Sequence, residues 1–538
     1  MRSTRHATAA AFVWLALYSF GTGRAAAASC DSLAGMKMGD ASVTAAGNIS
    51  PPFSIVQPPP QGLVSVSVPF CRVEGSIRPT ADSDIRFELW LPPASAWNGK
   101  YEGVGNGGFA GFIQYEAVGR ALEAGFAVSG TDTGHVASAI DARWALGHPE
   151  KVVDFGWRAI HETAATSKAI VQAFYGRVAS HTYFSGCSDG GREALMEAQR
   201  FPEDYDGIIA VAPANYWTQA LPTAIWDEQA MVAEPGGALT ARKLPAITAA
   251  ALAACHGEDG ILGDPSQCHF DPTVLLCKGA DSDDCLTSRQ ITTLQKIYSG
   301  PQDSAGQRIF PGFEPGGEAD PAGWGLWITG TGPNPGEGSL QLYFGTGYFA
   351  NMVFEKPDWD FRRLNFDSDL KFAEAKTGRA LDASDPDLAR FKAAGGKLIQ
   401  VHGWADAALS PAKSIEYYLS AAAKLGGIAQ TQSFYRLFMA PGMQHCGGGV
   451  GPNAVGGPFG LPAPTHDAAH DLVPALSHWV EDGAAPAQIV ATKYQDDDPR
   501  KGIAMQRPWC PYPAVARYSG QGSRNEAASF ACVEPAPR

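Results

Sequence analysis

Short apolar runs, each closed by glycine, proline or a small polar cluster, recur at residues 100–104, 126–129, 182–185, 208–212, 397–402 and 433–439. Runs of this length read as buried strands. Between some of them the apolar positions return every three or four residues, over 157–174 and 192–200, which is the spacing of one helical face. Strands alternating with helices predict an α/β fold with a mostly parallel sheet covered on both faces. The rhythm breaks over residues 215–388, where glycine and proline punctuate a stretch carrying Trp324, Trp327, Tyr343, Phe344, Tyr348, Phe349, Phe354 and Trp359. That break predicts an insertion between two sheet strands, set over one edge of the sheet as a lid, its aromatics chiefly filling its own core. The predicted organisation is a core over residues 29–214, a lid domain over 215–388 and the remainder of the core over 389–538.

Composition narrows the class. At 538 residues, 45% hydrophobic and 18% charged, the chain has ample apolar surface for a packed core, which excludes a disordered or fibrous protein. Its 61 glycines and 39 prolines argue against a coiled coil or an all-helical bundle. A net charge of −14 sets the whole surface against nucleic-acid phosphates and anionic lipid, so neither nucleic acid nor membrane is an expected partner and a small organic molecule is. Residues 1–28 read as an export signal: Arg2 and Arg5 precede an apolar run over 7–20, and small residues at 25–28 offer a cleavage site. A secreted or periplasmic protein follows. Ten cysteines in an exported chain, with no C-x-x-C, suggest disulfides rather than thiolate metal sites. Spacing alone leaves their connectivity open.

The chemistry-bearing motif is Gly186-Cys187-Ser188-Asp189-Gly190, a G-x-S-x-G placed directly after one predicted strand and directly before a predicted helix. A tight strand-to-helix turn exposes the serine hydroxyl, and glycine flanks let the chains approach closely. A serine hydroxyl needs a base, and the base needs a carboxylate to fix its tautomer. Among twelve histidines His445 stands out, because it precedes Cys446 as Ser188 follows Cys187. Were those cysteines joined, their Cα atoms would lie about 4.4–6.8 Å apart and bring Ser188 and His445 together. Asp406, just past the strand predicted at 397–402, sits where functional loops of such sheets collect. The order Ser188, Asp406, His445 is that of the α/β-hydrolases. His402, at the end of that strand, is the rival base and reads better as a core histidine. For the oxyanion, the amide of Asp189 and that of Gly108, in the glycine-rich turn 103–109, are the expected donors.

These residues resemble the tannase and feruloyl esterase family of α/β-hydrolases, which also includes the esterase of mono(hydroxyethyl) terephthalate. The matching stretches are 103–108, Asp132-Thr133-Gly134-His135, Arg158-Ala159-Ile160-His161-Glu162, 184–192, 201–207, Val401-His402-Gly403 with Asp406, and 442–446. The resemblance implies an α/β-hydrolase fold with a large inserted lid domain. It implies Ser188, Asp406 and His445 as nucleophile, orienting acid and base. It also implies a Cys187–Cys446 disulfide, with Cys30–Cys71, Cys255–Cys268, Cys277–Cys285 and Cys510–Cys532 as the other pairs. Many members hold a structural calcium in the lid, but the matching segment here offers only the Asp259 carboxylate and the Ile261 carbonyl, with Glu258 or Asp264 the neighbouring acids. Calcium prefers six to eight oxygens, so calcium is not expected at Asp259 and Ile261, and the chemistry requires no cofactor.

The expected activity is therefore a serine carboxylic-ester hydrolase acting on galloyl, feruloyl or terephthalate-type esters, with a small aromatic ester as its partner. The alternatives are a catalytically silent binding protein of the same fold, which would show a broken triad, and a peptidase, whose nucleophile would look the same.

Overall fold

The computed structural model describes residues 27–57, 62–257, 259–332, 334–457 and 460–534. The expected export signal lies outside them but for its last two positions. Ten strands form the main sheet: β1 (Lys37–Met38), β2 (Ala41–Ile49), β3 (Phe70–Ile77), β4 (Ile85–Leu91), β5 (Lys100–Val104), β6 (Ala127–Thr131), β7 (His181–Cys187), β8 (Gly207–Val211), β9 (Lys397–Gly403) and β10 (Tyr435–Ala440). They lie in the order β1-β2-β3-β4-β6-β5-β7-β8-β9-β10. From β6 to β10 every pairing is parallel. From β1 to β6 every pairing is antiparallel.

The parallel half is the one the apolar runs predict, with boundaries shifted by a residue or two. Its strands are buried on both faces because consecutive side chains serve opposite cores. Ile208 and Ala210 pack on one side of the sheet with Tyr101, Phe184 and Leu195, while Ile209 and Val211 pack on the other with Val104, Val401 and Trp479. The antiparallel half departs from the expected mostly parallel sheet. Strand β2 reads Ala-Ser-Val-Thr-Ala-Ala-Gly-Asn-Ile and leaves much of its length accessible, so it carries little of the apolar signal that marks a buried strand.

Helix α1 (Ala159–Tyr175) and helix α2 (Asp189–Arg200) follow β6 and β7. Helix α2 starts three residues earlier than periodicity suggested, directly after Ser188. Between β8 and β9 the described residues contribute no strand to the main sheet. They build helix α3 (Trp217–Val232), helix α4 (Leu340–Gly347), two further helices over Leu244–Ala254 and Ser288–Ser299, and shorter helical turns, around two apolar clusters, one that includes Trp217, Tyr348 and Phe349 and one that includes Leu244, Leu294 and Trp324. Helix α3 packs on α4, where Gly345 admits Ile225 so closely that an added Cβ would stand 2.6 Å from its side chain.

The five disulfides are Cys30–Cys71, Cys187–Cys446, Cys255–Cys268, Cys277–Cys285 and Cys510–Cys532, each pairing that the resemblance implied. The second joins residues 259 positions apart, and closing so long a loop restricts the unfolded chain by about 5 kcal/mol in chain-entropy terms. No helix among the described residues is long and apolar enough to cross a membrane. The five disulfides fit an exported protein.

Candidate active site

Strand β7 delivers Cys187 to the sheet's carboxyl edge, and Ser188 then turns the chain into α2 with φ 63° and ψ −117°. A non-glycine residue held there stores about 1–3 kcal/mol of strain. The neighbours explain why the turn closes. A Cβ on Gly186 would lie 2.3 Å from the Gly190 carbonyl oxygen, and one on Gly190 would lie 2.7 Å from that of Asn106. Backbone bonds pin the turn on both sides: Ser188 N–H donates to Val211 at 3.0 Å, Ala214 N–H to Ser188 at 3.0 Å and Gly190 N–H to Asn106 at 2.9 Å.

Asp406 follows β9 and is buried. One carboxylate oxygen accepts the amides of Ala408 at 2.8 Å and Leu409 at 2.9 Å. The other accepts His445 Nδ1–H at 2.8 Å and His402 Nε2–H at 3.1 Å. Burial alone would raise this carboxyl, but the charge of His445 and the bonds from both imidazoles hold it well below the usual carboxylate range. The carboxylate can only accept, so His445 carries its proton on Nδ1 and keeps Nε2 free as a base. His402 does not reach the cleft. Its Nδ1 lies 2.7 Å from Ser414 Oγ, so it acts as a second clamp on Asp406, in keeping with its reading as a core histidine.

Ser188 and His445 line one cleft of about 470 Å³, with Gly108, Asp189, Ala214, Trp217, Ala220, Leu221, Ala224, Trp327, Gln341, Phe344, Ala408 and Leu409. The Cys187–Cys446 bond, with Cα atoms 5.9 Å apart, fixes the two segments that carry them. Trp327 meets the His445 ring edge-on at 5.0 Å. Gly108 has φ 62°, and a Cβ there would lie 2.3 Å from the Ala139 carbonyl oxygen, so only glycine fits. Neither the Gly108 nor the Asp189 amide donates to another backbone carbonyl among the described residues, which leaves both available to a developing oxyanion.

Of the insertion's aromatics, Trp324, Tyr348 and Phe349 are core as expected, whereas Trp327 and Phe344 stand in the cleft wall. Sequence reasoning passed over Trp217, Gln341 and Arg192. Arg192 is wholly buried: Nε donates to Asp189 at 2.7 Å and Nη2 to the Phe155 carbonyl at 3.0 Å, and its guanidinium faces the Trp217 ring. An arginine early in the helix after a G-x-S-x-G was the available signal, since so short a reach to Asp189 suits an i, i+3 pair.

Among the described residues, two places offer metal-type donors. Asp259 does not fit calcium: one oxygen accepts Arg507 Nη2 at 2.7 Å and the other the Ile261 amide at 3.4 Å. Asp264 turns back onto Ser266, and Glu258 lies outside the described residues. His161, Glu197 and Asp204 cluster within 4.8 Å, but Lys168 Nζ already lies 2.8 Å from Asp204 and supplies the positive charge.

A sheet of this order, with a strained serine after the strand that precedes α2 and an Asp–His pair on later loops, defines an α/β-hydrolase. Residues 71–533 match the tannase and feruloyl esterase family, and the chain belongs to that family. It is 43% identical to an uncharacterized esterase of Xanthomonas campestris pv. campestris, over 95% of this chain and 92% of that one. It is 32% identical to the mono(2-hydroxyethyl) terephthalate hydrolase of Piscinibacter sakaiensis, over 86% of this chain and 85% of that one. The crystal structure of feruloyl esterase B from Aspergillus oryzae superposes with a TM-score of 0.84 at 27% identity, covering 94% of this chain and 99% of that one. The chain is a carboxylic ester hydrolase.

Proposed function

We propose that this protein is an exported serine esterase that cleaves esters of aromatic carboxylic acids through an acyl-enzyme. The observation that carries the reading is the shared cleft: Ser188 and His445 line it, His445 is held by Asp406, and Trp217, Trp327 and Phe344 form walls suited to a flat ring. Ser188 Oγ attacks the ester carbonyl as His445 Nε2 takes its proton. The amides of Gly108 and Asp189 receive the oxyanion. His445 then protonates the departing alcohol, and a water activated by the same nitrogen releases the acid. The complete Ser, His and Asp set favours this over a silent binding protein.

The test is initial rates on methyl gallate, methyl ferulate, mono(hydroxyethyl) terephthalate and a short p-nitrophenyl ester, with Ser188→Ala as blank. Turnover of an aromatic ester by the parent and none by the variant is expected. Turnover kept by Ser188→Ala would remove Ser188 from the mechanism, and no turnover of any ester would restore the binding-protein reading.

The Arg507–Asp259 pair, 10% and 22% exposed, is proposed to supply the positive charge at Asp259 in place of a metal ion. EDTA is therefore expected to leave the melting temperature unchanged, and Arg507→Ala to lower it, since removing Arg507 leaves the half-buried carboxylate with the more distant Arg524, at 3.9 Å, as counter-charge. A fall in melting temperature on chelation would overturn this.

A further inference from the structure

The two amides that receive the oxyanion belong to different segments, and one helix holds both. The Asp189 amide opens α2. The Gly108 amide belongs to the Gly107–Gly108 peptide, and two successive glycines impose no conformation of their own, so that peptide stands where its neighbours anchor it. Downstream the anchor is Phe109. Its N–H donates to the Ala139 carbonyl at 2.7 Å, and its carbonyl accepts His135 Nε2–H at 2.8 Å. Upstream the anchor is Asn106. Strand β5 ends at Val104, Gly105 N–H still donates to Ser185 of β7 at 2.9 Å, and from Asn106 onward the backbone must find partners outside the ladder.

Asn106 is buried. Its side-chain amide donates to the Phe112 and Thr131 carbonyls, each at 2.9 Å. Its carbonyl accepts Gly190 N–H, in the first turn of α2, at 2.9 Å. Its own N–H donates to Glu193 Oε2, one turn further along α2, at 2.8 Å. These last two bonds fix the two peptide planes that flank Asn106, so α2 seats the glycine turn as well as supplying the Asp189 donor. The seat is close: a Cβ on Gly105 would lie 2.7 Å from Glu193 Oε2 and 2.7 Å from Gly190 Cα. Glu193 is 1% exposed, and its other oxygen has no partner among the described residues. The guanidinium of Arg192 beside it is committed to Asp189, Gly156 and Phe155. Burial, then the charge of Asp189, raises the Glu193 carboxyl well above the usual range. It therefore serves Asn106 as a neutral acceptor, a task that a side-chain amide also performs.

We propose that Glu193 is a positioning residue for ester hydrolysis: by accepting the Asn106 amide it holds the Gly107–Gly108 peptide where its N–H meets the developing oxyanion. The inference rests on the serine mechanism proposed above. Without the acceptor a buried N–H must turn to find another partner, and an error of about 1 Å in a group that stabilises the transition state costs on the order of a hundredfold in rate.

The experiment measures kcat and KM for p-nitrophenyl acetate in the parent, Glu193→Gln and Glu193→Met, with Ser188→Ala as blank. It also measures inhibition by phenylboronic acid, whose tetrahedral adduct with the serine places an oxygen in the oxyanion hole, against benzamide, which stays planar. Glu193→Met, or Glu193→Leu should the first not fold, is expected to lower kcat by about ten- to a hundredfold with KM within about threefold. Phenylboronic acid should weaken by a similar factor while benzamide stays within about threefold. Glu193→Gln keeps the acceptor and should retain at least about a third of the parent kcat. An apolar variant with the parent's kcat, a glutamine variant as impaired as the apolar one, or equal weakening of both inhibitors overturns the proposal and leaves the serine mechanism standing. Turnover kept by Ser188→Ala overturns the serine mechanism and this inference with it. Should the parent not turn over p-nitrophenyl acetate, quenching of tryptophan fluorescence by the two inhibitors makes the same comparison as a ratio of dissociation constants.

Discussion

Ser188→Ala is expected to lower kcat on an aryl ester by about 10⁵–10⁶ while the melting temperature moves by no more than about 2 °C. The two readouts separate because the hydroxyl has one task and the backbone another. Alanine keeps a Cβ, so the variant retains the strain of φ 63° and ψ −117° and the bonds that pin the turn to Val211, Asn106 and Ala214. Ser188→Gly should lose activity just as fully yet gain about 1 kcal/mol, because glycine adopts this conformation without the clash and gives back only part of that gain in unfolded-state entropy. An inactive but stabilised variant is the signature of strain held for function. A Ser188→Gly variant less stable than the parent would mean that the turn is not strained.

The parallel half of the sheet, the G-x-S-x-G turn and its two partners were legible because their signals are local. Each strand there is buried on both faces and therefore shows as an unbroken apolar run, and the turn's glycines are demanded by contacts within a few residues or with the adjoining strand. Cys187 and Cys446 were legible as neighbours of Ser188 and His445, although only the family resemblance joined them. What the pattern concealed is long-range. Strand β2 stabilises the sheet through backbone pairing with β3 over eight registered positions, which leaves little trace in side-chain hydropathy. Gln341 reads as an ordinary helical polar residue until α4 is laid against α3 and the Ala407 carbonyl is seen to orient its amide. Arg507 lies 248 residues from Asp259, so no spacing rule could match them. The aromatic residues of the insertion divide between core and cleft wall, and their residue types are the same on both.

Asp406→Asn should lower kcat by about 10⁴ and, unlike either serine variant, should also destabilise the fold by about 3–5 kcal/mol. Asp406 accepts four hydrogen bonds, two amides on one oxygen and two imidazoles on the other, and an asparagine has only one oxygen to offer. With the oxygen toward Ala408 and Leu409, the NH₂ group faces both histidines. His445 must then move its proton to Nε2, where it can no longer accept from Ser188. With the oxygen toward the histidines, two buried amides face a donor and lose their partners. Either arrangement fails, one chemically and one structurally, so the loss of activity and the loss of stability have a common origin. The pH dependence separates this from a packing defect. Because the Asp406 carboxyl titrates below its unfolded value, its contribution is complete above the unfolded pKa of about 4 and disappears as pH falls through the lower folded value. The stability gap between parent and Asp406→Asn, read from urea denaturation, should accordingly be constant from about pH 6 to pH 7 and narrow on acidification below about pH 4. A gap that does not change between pH 7 and pH 3 would show that Asp406 acts through its shape rather than its charge.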